Sequence, residues 1–226
     1  MRSADQILNG MEQEVAALIQ RGLHSTGDYD GTFRGVPGPV TTLALAKYLA
    51  RERGTGTGKT ALIEACLEWA KGELGTKESG GNNRGPQIEW YQKICYDANP
   101  RDLGKTGWPW CAAFMCRMVQ QGVLKLPEAS RAKVPFDLPT TPAAFGFATW
   151  ALNQPGVERL TSGKIQRGDI VIFKISHIEV ATSGESGGYF KSIGGNTSSA
   201  GGRDGDGVWE KTQRKSSVRD WVRFSF

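Results

Sequence analysis

The apolar residues of this chain change period once, and that change restricts the folds open to it. Up to about residue 152 they recur at helical spacing, in segments spanning 5–21, 40–53, 61–74, 87–98, 111–123 and 143–152. Ile7, Leu8, Met11, Val15, Leu18 and Ile19 set the pattern in the first of these. From residue 168 onward the chain breaks into short β-branched or aromatic runs, "GDIVIFKI", "HIEVATSG", "YFKSIGGN", "GVWEKTQRK" and "VRDWVRFSF". Gly, Ser and Asp turns divide them. Helices first and antiparallel strands second predict an α+β layer fold, and no internal repeat interrupts the order.

With 226 residues, 38% of them hydrophobic, the chain can build one large domain or a medium one beside a small one. The expected division is a small helical domain over 1–55, a linker over 56–61 and a second domain over 62–226. The stretch "GTGTGKTAL" at 54–62 imitates a phosphate-binding loop but falls one residue short of G-x-x-x-x-G-K-[ST]. It also follows a helical pattern rather than a buried strand, so no nucleotide is expected. A net charge of +5 gives mild attraction to polyanions, yet no run of five basic residues marks a nucleic-acid arm. No segment is apolar and long enough to enter a membrane. "MRSADQILNGMEQEV" has no apolar stretch of signal-peptide length, so synthesis in the cytoplasm without a signal peptide is expected. Four cysteines do not make a disulfide framework, and all are expected reduced. No cofactor and no metal are expected, and a monomer is.

"GWPWCAAFMC", residues 107–116, puts Cys111 just after Pro109, at the first turn of a predicted helix. A helix N-terminus favours a thiolate through its dipole and its free N–H groups. Cys116 falls on another face and reads as packing, as do Cys66 and Cys95. Only two histidines are present. His24 has no acidic or thiol company, whereas His177 opens a β-run in which alternation places it on one face with Glu179. Asn196 closes the next run. Cys111 as nucleophile, His177 as base and Asn196 as orienter form a thiol-hydrolase set. Trp108 and Trp110 flank the cysteine and suit the wall of a groove, and Asn82 and Asn83 stand in a Gly-rich loop where they can bond substrate.

Four segments, "ELGTKESGGNNRGPQIEWYQ", "WPWCAAFMCRMVQQGV", "GDIVIFKISHIEVATSG" and "IGGNTSS…GVWEKTQR…VRDWVRF", together resemble the CHAP family of cysteine, histidine-dependent amidohydrolases and peptidases. The likeness spans about residues 62–226 and is to the phage and bacterial cell-wall versions, of which endolysins are one kind. It implies a papain-like α+β fold that hydrolyses amide bonds in peptidoglycan, either as an N-acetylmuramoyl-L-alanine amidase or as an endopeptidase. Such an enzyme would act on the wall after release or delivery. Many members carry a carboxylate near the third catalytic position; here Gly194 and Gly195 precede Asn196, and Glu179 or Glu78 would supply the charge instead. Asp97 and Asp102 are the residues nearest to a calcium loop of some relatives. "DYDGTFRGVPGPVTTLALAKYL" resembles a small peptidoglycan-binding helical domain through Asp30, Gly31, Phe33, Thr42, Ala46 and Tyr48. The competing expectation is a wall-binding or phage structural protein that keeps the fold without catalysis.

Overall fold

The computed structural model describes Gln20 and residues 58–101, 103–198 and 205–226. The helices expected over 5–21 and 40–53, and the wall-binding pattern from Asp30 to Tyr48, lie outside the described residues. The chain divides into two compact units, Met1–Thr60 and Ala61–Phe226. The second holds the whole β-sheet and the helices packed against it.

Five α-helices are found among the described residues: α1 Gly58–Gly72, α2 Pro86–Ala98, α3 Cys111–Lys125, α4 Glu128–Arg131 and α5 Ala144–Leu152. Residues 58–61, expected in a linker, are instead the first turn of α1, because Lys59, Thr60 and Ala61 continue the helical period of the segment behind them. Six strands follow: β1 Val157–Leu160, β2 Ile170–Phe173, β3 Ile178–Ala181, β4 Tyr189–Thr197, β5 Gly207–Arg214 and β6 Val218–Phe224. They form one sheet in the order β1-β6-β2-β3-β4-β5. Every pairing in it is antiparallel. The fold is therefore α+β. β1, "VERL", carries little strand signal of its own; its ladder to β6, from Val157 opposite Phe224 to Leu160 opposite Trp221, supplies what propensity does not.

Period-two alternation sorts the sheet's side chains between two cores. Ile170, Ile172, Ile178, Val180 and Ile193 join the helices in the main core, while Val171, Phe173, Ala181, Phe190 and Trp221 form a smaller cluster. Helix α3 is buried on nearly every side, with Ala112, Ala113, Phe114, Met115, Cys116, Met118 and Val119 all at 0% exposure. A helix apolar all round belongs inside a core. Phe114 anchors it against Trp69 and Tyr91, with ring centroids 5.2 and 5.3 Å away. Each such aromatic contributes roughly 1.5–3 kcal/mol by burial alone.

Where α3 meets β4, the side chains at the head of the helix leave no room for one on Gly195. A Cβ on Gly195 would stand 2.5 Å from Trp110 Cζ3 and 2.7 Å from Phe114 Cγ, both atoms of packed rings. Gly195→Ala is expected to lower stability by about 1–3 kcal/mol through overpacking, seen as a fall in Tm. An unchanged Tm would mean that this helix–sheet contact is looser than the structure has it.

Candidate active site

Cys111 is the first residue of α3, and no side chain caps that helix. Its early N–H groups therefore lack both intrahelical acceptors and a capping partner, and they give the end of the helix its positive character. Cys111 is 6% exposed and opens onto a cleft of about 950 Å³. Asn82, Asn83 and Pro109 line the helical side of this cleft, and His177, Glu179, Asn196, Thr197, Lys211 and Gln213 line the sheet side.

His177 stands just before β3, in the turn from β2, and its ring stacks near Phe173 with centroids 6.0 Å apart. Nε2 lies 3.1 Å from Glu179 Oε1 and 3.1 Å from Thr197 Oγ1. An ionised carboxylate only accepts, so Nε2 carries the proton, and Nδ1 is the nitrogen left for the thiol of Cys111. Burial by itself would lower the pKa of His177. Hydrogen bonds and charges from Cys111 and Glu179 outweigh that and raise it from 6.5 to about 10. The imidazolium is thus favoured between a thiol on one side and a carboxylate on the other.

Glu179 is 1% exposed, and a carboxylate buried that far needs partners. Besides His177, Ser192 Oγ donates to its Oε2 at 2.5 Å and Gln213 Nε2 donates to the same oxygen at 3.0 Å. Thr197 Oγ1 lies 3.4 Å from Oε1. Burial pushes the acid's pKa up; the charge and hydrogen bonds of His177, with those of Ser192 and Gln213, more than offset it and hold Glu179 below its ordinary range. The space for this carboxylate exists because residue 194 is glycine. A Cβ there would fall 2.6 Å from Glu179 Cγ and 2.9 Å from its Oε1.

The other expected site residues are distributed differently. Asn196 lines the cleft with φ 54°, but its Oδ1 is buried and has no hydrogen-bond partner, and the partners of the imidazole are Glu179 and Thr197. Glu78 does not reach the histidine: its Oε2 accepts the Asn83 N–H at 2.8 Å and its Oε1 accepts Trp110 Nε1–H at 2.8 Å. Trp110, expected on the groove wall, is 0% exposed and stacks on Tyr91 at 5.4 Å, so it is a core residue that braces the start of α3. Trp108 is half-buried outside the cleft, with its Nε1 donating to Gly104 O at 2.9 Å. Asn82 and Asn83 do line the cleft.

Ser192, Thr197 and Gln213 carry no signal of their own in the sequence. Ser192 lies opposite Ala181 in the β3–β4 ladder, and Gln213 lies opposite Phe190 in the β4–β5 ladder, so only the register brings them to Glu179.

Cys66, Cys95 and Cys116 are buried free thiols. Burial pushes Cys66 to about 12, and burial followed by the neighbouring Cys95, whose sulfur is 3.9 Å away, raises Cys116 well above its ordinary value. Cys66 and Cys116, held protonated in this way, are inert packing. Asp97 is paired with Lys93 at 2.6 Å, and Asp102 lies outside the described residues. No cluster of three metal-ligating side chains occurs among the described residues, and no helix among them is long and apolar enough to cross a membrane.

No family model and no curated protein matches the sequence. Among solved structures the chain is similar to a wild-type endolysin, LysIME-EF1, at 15% identity and a TM-score of 0.36. The alignment covers 73% of this chain and 64% of that one.

Glu179→Gln keeps the volume and removes the charge that favours the imidazolium. Its expected effect is to lower the titration midpoint of His177 by about 1–3 pH units, followed by NMR of the ring protons. Stability should respond with the matching sign. Because the folded value is raised, the contribution of His177 is fully present below pH 6.5 and fades as pH climbs through about 10. The variant should lose that contribution at lower pH, and an unmoved midpoint would contradict the pairing.

Proposed function

We propose that the protein is a cysteine-dependent amidohydrolase acting on peptidoglycan. The observation that carries this reading is that Cys111, at the head of α3, and His177, bonded to the buried Glu179, line one open cleft. The substrate class rests on the four segments that resemble the CHAP family.

In this reading Cys111 Sγ attacks the amide carbonyl carbon. His177 takes up the thiol proton and delivers it to the departing nitrogen as the C–N bond breaks. Water then attacks the thioester, with His177 as base, and the acid product leaves. Glu179 orients the ring and holds its protonated form, with Thr197, Ser192 and Gln213 fixing the carboxylate. That is the role expected of Asn196, and Asn196 then serves the cleft rather than the ring. The acyl group comes from muramic acid in an amidase and from a stem or cross-bridge residue in an endopeptidase, and the same three groups serve both.

Digestion of purified peptidoglycan, with mass spectrometry of the soluble products, tests the reading. Wild type should release stem peptides beginning with L-Ala, or shortened stems and opened cross-bridges, and Cys111→Ala should release none while keeping its Tm. Cys116→Ser should retain most activity. Products that persist in Cys111→Ala, or wall binding without any Cys111-dependent product, would replace the enzyme by a wall-binding protein.

A further inference from the structure

The cleft carries one cation that no acid answers. Among the described residues that line it, Glu179 and His177 answer each other, and Lys211 is the remaining charged side chain. Lys211 lies opposite Ser192 in the β4–β5 ladder, so it shares a face of the sheet with Ser192 and Gln213, which hold Glu179. It is half-buried, and no carboxylate among the described residues forms an ion pair with it. Its neighbour Glu210 alternates to the opposite face, where Thr182 Oγ1 donates to it at 2.6 Å. The Lys211 ammonium donates instead to the carbonyl of Ser198, the residue after Thr197, whose hydroxyl lies 3.1 Å from His177 Nε2. That contact holds the charge just past the end of β4, one residue from a partner of the imidazole. An ammonium has three N–H donors, and a single carbonyl leaves others for a ligand. A half-buried ammonium with no anion beside it favours a ligand that brings one.

We infer that Lys211 is a specificity-determining residue, which binds a free carboxylate of the substrate close to the amide that is cleaved. The inference deepens the peptidoglycan reading above and rests on it. A peptide stem offers such a group wherever an acidic side chain or a chain end is left unamidated. One ammonium matches a monoanion. A phosphate of a wall polymer calls for more charge than this wall provides, since His177 is already paired with Glu179 and Lys211 is the other basic residue among those lining the cleft. A carboxamide keeps the shape of a carboxylate and loses its charge, so Lys211 separates two stems that are otherwise identical. The attraction is stronger here than on an open surface, because the wall of the cleft displaces part of the water that would screen it.

Binding, measured by calorimetry on the full chain carrying Cys111→Ala, tests the inference without turnover. The probes are two synthetic muramyl peptides of one sequence, one with every carboxyl group free and one with every carboxyl group amidated. The free acid should bind about 10–100-fold more tightly. In the same background Lys211→Met, which keeps the length and loses the charge, should bind the two alike, and Lys211→Arg should keep the preference. Raising the salt should shrink the preference, as it does for any partly exposed charge pair. Equal binding of the two peptides with Lys211 present overturns the inference, as does a preference that survives Lys211→Met or a failure of both peptides to bind. Lys211→Met that weakens both peptides by the same factor also overturns it, because that is the effect of losing a brace on Ser198. Displacement of the free acid by inorganic phosphate more readily than by acetate overturns it in favour of a phosphate site. The hydrolase reading fails separately, in the wall digestion described above, whatever the preference set by Lys211.

Discussion

A carboxylate with 1% of its surface exposed has to be neutralised, and the cleft is arranged around how Glu179 is neutralised. Its negative charge is met by the ring of His177, by a serine from β4 and by a glutamine from β5. Removing one member of a buried pair typically costs about 3–5 kcal/mol, because the survivor is left charged and dry. The same requirement fixes the imidazole: once Nε2–H is committed to the carboxylate, the ring orientation, the tautomer and the nitrogen that faces Cys111 are all set. The chemistry proposed for the thiol therefore depends on a charge that acts on it through the imidazole.

The fold makes room for that charge in two adjacent residues. Gly194 leaves vacant the volume that Glu179 occupies, and Gly195, pointing the other way, leaves vacant the volume into which Trp110 and Phe114 press. One face of β4 accepts the carboxylate and the opposite face accepts the helix that begins at Cys111. A side chain at either position would push apart the two walls that hold the cysteine and the histidine in register.

Much of this was legible in the sequence. The α2, α3 and α5 helices follow from apolar spacing over nine residues or more, and the β2, β3 and β4 strands from β-branched runs between glycines. Cys111 follows from a proline two residues before a helical run, and Glu179 from alternation with His177. What was not legible depends on direction and register. Trp110 adjoins the cysteine in sequence, but the cap residue of a helix faces the core or the groove according to what packs behind it, here Tyr91 and Glu78. Thr197 reaches the histidine only because the β4–β5 pairing shifts between Gly194 and Thr197. β1 holds a single β-branched residue, Val157, and α4 is one turn with no buried residue, so neither carries a signal in the sequence.

Acylation of Cys111 by a wall amide is the step on which the proposed activity stands. The direct measurement is mass spectrometry of protein mixed with soluble peptidoglycan fragments and quenched in acid within the first turnovers. The expected result is a covalent acyl group on the peptide that contains Cys111, with a mass that names the bond cleaved: a muramoyl group for an amidase, a stem or bridge peptide for an endopeptidase. Turnover of the fragments with no adduct on Cys111, or with the adduct on another residue, would contradict it.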